Sequence, residues 1–318
     1  MTPLFTTIFE AGLVPVIKLE DAAKAPALGK TLSAAGLKVA EVTFRSAAAE
    51  ESIRRMSAEC PDLVVGAGTV INPELAKKAV DAGARFIVSP GFNPATVDWC
   101  LERGVPILPG VNNPSMIEAG MAKGLDVFKF FPAEASGGLS MLEAMAAPFG
   151  SIKFMPTGGI GLGNLSSYLS HPSVLAAGGS WMVKPELIEA GDWGAIAALC
   201  SQAVAAVHGF ALAHVGMNQR DADEAAGVAS MFAAMGFALR DGATSTFAGA
   251  DFEVMKSPYL GSMGHLAIRC NSVERALAFM ARYGYAPLPD TAKSDKGRLK
   301  VMYLDKELGG FALHLLRD

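Results

Sequence analysis

At 318 residues the chain exceeds one small module and suits either two domains of roughly 150 residues or one barrel of about 250 with an appendage. Hydrophobic residues make up 51% and charged residues 18%, enough to bury a sizeable core and to exclude a disordered chain. A formal net charge of -4 supplies no basic field for a nucleic-acid partner, so any small anion must be caught locally.

Cys60, Cys100, Cys200 and Cys270 are scattered with no CxxC pair, which suits reduced thiols in a cytoplasm. Residues 1–19 lack a basic start, an apolar run and a small-residue cleavage site, so no secretory signal is expected. The uncharged segment 195–215 has the length of a membrane span, about 20 residues. Its many alanines, its Gln202, His208 and His214, and the break at Gly209 favour a buried helix running into a strand. The expectation is a soluble cytoplasmic protein.

In chain order, apolar β-branched runs predict strands over 13–17, 37–43, 63–66, 86–89, 106–108, 127–131, 152–155 and 174–177. Helical patterns fill 22–35, 48–59, 73–82, 94–102, 114–122 and 185–207. Asn72-Pro73, Asn93-Pro94 and Asn113-Pro114 each read as a polar N-cap followed by proline at the first helical position. Eight such units over about 200 residues fit a (β/α)8 TIM barrel, with a doubly wound sheet as the alternative. After 208 the pattern changes to a strand over 211–217, a helix over 221–235 and short strands ending at 251–256. The same order recurs with a strand over 265–270, a helix over 273–283 and strands ending at 310–316. The reading is an α/β chain: a barrel at 1–208, then a smaller α+β domain at 209–318 made of two βαβββ units. The stretch 288–298, with Lys293, Asp295, Lys296 and Arg298, reads as a solvated loop or as a cover for a neighbouring subunit's site.

In such a barrel the chemistry lies where the strands end, so polar residues there are the candidates. Lys129 is the sharpest, because a lysine inside an apolar strand must find a partner or lose its proton, and a neutral amine is a nucleophile. Strand alternation puts Lys129 on one face with Val127 and Phe131, and Phe128 and Phe130 on the other. A buried ion pair with Glu41 is the competing use. Lys18 and Lys153 are rival amines, Lys153 lying about 13 Å below the strand end at Thr157. Glu41 and Arg45 supply a carboxylate for proton transfer and a guanidinium for an anion, or else a structural salt bridge. Gly158-Gly159 and Gly178-Gly179, with Ser180, offer backbone N–H groups to a phosphate, or simply make turns. An amine, a proton shuttle and two anion clamps suit imine chemistry on a phosphorylated keto acid.

EVTFR at 41–45, GAGTV at 66–70, SPG at 89–91, FKFFPAE at 128–134, PTGGI at 156–160 and GGSW at 178–181 follow one another in a familiar order and spacing. By these motifs residues 2–208 resemble the class I aldolases acting on 2-dehydro-3-deoxy-6-phosphogluconate and 4-hydroxy-2-oxoglutarate. The resemblance implies a carbon–carbon lyase of carbohydrate metabolism in which Lys129 forms the Schiff base and Glu41 is the general acid/base. It further implies that Arg45, Thr69 and Thr157 hold the pyruvoyl part and that Gly158, Gly159, Gly179 and Ser180 hold the phosphate. No cofactor is implied for this reaction, and the assembly implied is a homotrimer. Asn113, where the family usually has Thr or Ser nearby, either caps the next helix or touches the aldehyde half.

The repeated βαβββ units resemble the vicinal oxygen chelate, or glyoxalase-like, fold. By that resemblance the first and last strands of each unit supply metal ligands, here His214, Glu253, His265 and His314, a set suited to Zn²⁺ or another first-row ion. The other use of these histidines is hydrogen bonding in a relic fold. The leading functional expectation is therefore an aldolase with an accessory domain. The second is a metal-binding glyoxalase-like module fused to a keto-acid-binding barrel, and the third a phosphate-binding barrel without chemistry.

Overall fold

The computed structural model describes residues 1–295 and 297–317, so Lys296 of the charged stretch lies outside the described residues. The chain divides into two compact units, Met1–Val207 and His208–Asp318.

In the first unit the strands Leu13–Ile17, Val39–Thr43, Val64–Gly68, Ile87–Val88, Ile107–Leu108 and Ala177–Gly179 form one parallel sheet. Gly110–Val111, Val127–Phe130 and Lys153–Pro156 form another. Pro109, which has no N–H to donate, interrupts a single strand between Leu108 and Gly110. Bridges from Phe154 to Val174 and from Thr157 to Gly178 return the ladder to its start, so eight parallel strands close a ring.

Three of the surrounding helices begin as their sequences predict. Asn72, Asn93 and Asn113 accept hydrogen bonds from the N–H groups of Leu75 (2.8 Å), Ala95 (3.0 Å) and Met116 (3.1 Å), each with proline at the next position. The predicted helix over 185–207 is two, Pro185–Ala190 and Trp193–His208, because Gly191 takes a left-handed φ of 67° and ends the first. Helices Pro3–Ala11, Gly138–Ala146 and Leu165–Ser170 lie outside the predicted set.

The first of these matters for the site. Leu4, Phe5, Ile8 and Phe9 pack with Val14, Val39, Phe86, Val88, Leu108, Val127 and Met155, inward-facing residues of the ring. Oily side chains thus fill the interior at the starting ends of the strands. Phe128 and Phe130 face the other way, into the larger core shared with the helices, so Lys129 between them points inward.

The second unit holds one mixed sheet of eight strands, built twice over. Ala211–Asn218, helix Ala222–Ala234, Leu239–Asp241, Ser245–Ala248 and Phe252–Met255 make the first half. Gly264–Arg269, helix Val273–Ala281, Lys293–Asp295, Arg298–Leu308 and Phe311–Leu316 make the second. In each half the first strand pairs in parallel with the last, and the two first strands meet antiparallel at the centre. The stretch expected to be a solvated loop is instead partly ordered: Lys293–Asp295 pairs with Arg298–Leu308 as the edge of the sheet. Among the described residues no helix is long and apolar enough to cross a membrane, and the helix at 193–208 leads through Gly209 into a strand.

Candidate active site

The open end of the ring holds a cavity of about 290 Å³ lined by Glu41, Arg45, Thr69, Lys129, Thr157, Gly158, Gly159, Gly179 and Ser180. The nine residues to which the resemblance assigns roles in the first unit therefore meet. The Lys129 Nζ lies 3.3 Å from the Glu41 Oε1, with the side chains 6% and 0% exposed. The Phe131 ring covers the same amine, its centroid 5.2 Å away. Strand register explains the meeting: Glu41 is level with Val16 and Gly66, and Lys129 with Gly110 and Met155, so both stand in the same middle layer. Gly68 makes room for the acid, since a Cβ there would sit 2.0 Å from the Glu41 Oε1. The second carboxylate oxygen of Glu41 is buried with no partner among the described residues.

Lys18 and Lys153 do not line this cavity. Lys18 pairs with Glu20 at the surface, and the Lys153 amine donates to the Pro172 carbonyl at 2.8 Å. Glu41 pairs with Lys129, whereas the Arg45 Nε donates to the Thr43 hydroxyl at 3.0 Å, and that hydroxyl donates to the Ile17 carbonyl at 2.8 Å. Thr43 was not among the residues picked from sequence. Its place between Glu41 and Arg45 at two-residue spacing is the signal that could have found it. Thr69 holds a φ of 58°, unusual for a β-branched residue, at the cavity wall.

The phosphate-loop candidates have their own supports. Gly159 takes a φ of 81° beside Glu134, and a Cβ there would lie 2.5 Å from the Glu134 Cγ. Asn164, also not anticipated, bridges the loop: its amide donates to the Gly159 carbonyl at 3.1 Å and its carbonyl accepts from the Gly161 N–H at 2.9 Å. Asn113 caps its helix.

A second cavity, of about 450 Å³, lies in the second unit and is lined by His214, Glu253, His265 and His314. The two first strands carry His214 and His265, and the two last strands Glu253 and His314, so the duplication itself brings the four together. The Nε2 atoms of His214 and His265 are 3.2 Å apart, and they lie 3.2 and 3.1 Å from the Glu253 Oε2. Ser245 donates to the other oxygen of Glu253 at 2.6 Å, leaving Oε2 to the histidines. Burial opposes ionisation of Glu253, but hydrogen bonds from His214, His265 and Ser245 outweigh it and hold the carboxyl well below the usual range. Burial, with the neighbouring His265 and His214, pushes His314 down to about 3. Both its ring nitrogens are buried without a partner among the described residues.

This donor set fits a divalent ion. The three histidines each offer a nitrogen within 4.8 Å of the others. The triangle of Nε2, Nε2 and Oε2 has a centre about 1.8 Å from its corners, inside the roughly 2.1 Å at which zinc binds nitrogen and oxygen. An uncharged imidazole with both nitrogens orphaned is a ligand in want of an acceptor.

The family model for KDPG and KHG aldolase matches residues 6–199. Over 200 residues the chain is 48% identical to a 2-dehydro-3-deoxy-phosphogluconate aldolase of Treponema pallidum, covering 62% of this chain and 95% of that protein. It is 43% identical over 192 residues to the KHG/KDPG aldolase of Escherichia coli K12, covering 60% of this chain and 90% of that protein. A solved KDPG aldolase of Legionella pneumophila, with pyruvate captured at low pH as a covalent carbinolamine, is similar at a TM-score of 0.60 and 39% identity, over 62% of this chain and 96% of that one. The family segment spans every residue that lines the first cavity, and the chain thus belongs to the KDPG and KHG aldolase family.

Proposed function

We propose that the first unit, read as a (β/α)8 barrel, cleaves 4-hydroxy-2-oxo acids by class I aldol chemistry, with Lys129 as the amine and Glu41 as the proton carrier. The observation that carries this is the amine 3.3 Å from a buried carboxylate whose second oxygen has no partner among the described residues. A purely structural ion pair at this depth has no use for an unsatisfied oxygen.

Glu41 takes a proton from the Lys129 Nζ, the freed amine attacks the C2 ketone, and Glu41 returns that proton to the carbinolamine hydroxyl, which leaves as water and gives a protonated imine. Glu41 takes the C4 hydroxyl proton as the C3–C4 bond breaks, and its electrons flow into the iminium to give an enamine and a free aldehyde. Protonation at C3 and hydrolysis release pyruvate and restore the amine. Arg45, Thr69 and Thr157 hold the pyruvoyl part, while Gly158, Gly159, Gly179 and Ser180 present N–H and hydroxyl groups to a phosphate. The substrate is 2-dehydro-3-deoxy-6-phosphogluconate, 4-hydroxy-2-oxoglutarate or both, the compound classes for which similar aldolases are named. A cytoplasmic homotrimer is the assembly that goes with this reading.

Borohydride added with pyruvate should reduce the imine and leave a stable adduct on the peptide bearing Lys129. An unmodified Lys129 under conditions of turnover overturns the assignment. Ser180→Ala should lose efficiency on the phosphorylated substrate and keep it on the short one; equal losses place the phosphate elsewhere.

A second reading concerns the second unit alone, read as glyoxalase-like. Its orphaned His314 and the close triangle of His214, His265 and Glu253 support a resident divalent ion of the zinc, nickel or manganese type. Such an ion supplies Lewis acidity, with Ser245 orienting Glu253 from behind. Stoichiometric metal that is lost in His265→Ala supports it; a metal-free protein after incubation with excess Zn²⁺ overturns it.

A further inference from the structure

The second cavity contains more than metal ligands. Lys293, on the edge strand Lys293–Asp295, lines it together with Asp290, Phe247, Met255, Val301 and Tyr303. Lys293 is level with Val301 on the neighbouring strand, and Tyr303, two residues on, is level with His314 on the next. A two-residue step keeps Val301 and Tyr303 on one face of the sheet, the face that carries the histidines.

We propose that this cavity is a binding site for a small 2-oxo monocarboxylate, with Lys293 holding the carboxylate. The inference rests on the divalent-metal reading of the second unit. With neutral imidazoles, a divalent ion and Lys293 set against Glu253 and Asp290 leave one net positive charge, which one carboxylate neutralises. A phosphate monoester, at about -1.5 to -2 near pH 7, overfills that balance. The walls of Phe247, Met255, Val301 and Tyr303 suit a short carbon chain rather than a polar sugar. A 2-oxo acid adds a ketone oxygen next to its carboxylate, a donor pair of the hard type that divalent ions take up. Pyruvate, the product of the proposed aldol cleavage, belongs to this class.

The test uses the full chain carrying Lys129→Met, so that the first cavity cannot condense with the probe. The protein is loaded with Co²⁺, and its visible spectrum is followed while pyruvate, acetate or inorganic phosphate is added. Pyruvate should change the spectrum saturably, acetate and phosphate only at concentrations at least tenfold higher. Lys293→Met should raise the apparent Kd for pyruvate tenfold or more with Co²⁺ affinity unchanged, and Lys293→Arg should restore most of it. Failure to bind Co²⁺ sinks the metal reading itself. Tight Co²⁺ with a spectrum indifferent to pyruvate overturns this proposal alone. Phosphate binding tighter than pyruvate overturns the ligand class, and an unchanged Kd in Lys293→Met overturns the role of Lys293.

Discussion

The two units place polar residues among inward-facing strand positions by different routes, and the contrast explains what each cavity can hold. In the first, a closed ring of parallel strands brings Glu41 and Lys129 into one layer, above a floor filled by the Pro3–Ala11 helix. In the second, two copies of one motif meet at their first strands, so matching positions converge as His214 with His265 and Glu253 with His314. An acid beside an amine is equipped to make and break an imine. Three imidazoles and a carboxylate are equipped to hold an ion.

Substitution should separate the two most sharply. Lys129→Met should lower aldol cleavage by roughly 10⁴-fold or more, since no other side chain in the cavity offers a nucleophilic amine. Metal uptake by the second unit, followed by equilibrium dialysis, should not change. A loss of both would mean that the cavities are not chemically independent.

Acid should distinguish them next. Burial, with Arg275 and Arg282 nearby, pushes His208 down to about 4, and its ring stacks on Phe210 and lies tilted against Phe279 in the second unit. The unfolded chain takes up this proton near the ordinary value of about 6.5 and the folded one only near 4, so stability is intact above about 6.5 and falls as pH drops between them. The loss is on the order of 3 kcal/mol below pH 4, and His314 adds to it in the metal-free protein. Amide exchange at pH 4.5 should show the second unit opening before the first, and His208→Phe should reduce that difference. First-unit amides opening first would reverse the comparison.

The smallest effect tests Asn113, which caps its helix and does not line the first cavity. Asn113→Ala should cost about 1 kcal/mol through the lost cap and leave KM for both substrates unaltered. A changed KM would give Asn113 a contact with substrate.

Much of this was legible in the chain. Alternation about Lys129 indicated which way it points, and the Asn-Pro pairs marked three helix starts, because both signals are local. Less local features escaped. The Pro3–Ala11 helix has an apolar side only in relation to the ring it plugs. Lys293–Asp295 is exposed and charged, and becomes a strand because Arg298–Leu308 offers it hydrogen-bonding partners. Asn164 gains its role from a glycine loop five residues earlier whose shape no pattern specifies.

Local pattern in the chain suffices for the alternation of strands and helices, the duplication after residue 208, the family motifs and the types of reactive group available. Those follow from periodicity and side-chain chemistry, which act over a few residues. The tertiary structure alone decided that Glu41 and Lys129, 88 residues apart, come within 3.3 Å, and that Lys18, Lys153 and Arg45 do not share that contact. It likewise decided that His314 ends up with neither nitrogen paired among the described residues. Such distances depend on ring closure and strand register, which are set by packing of the whole unit.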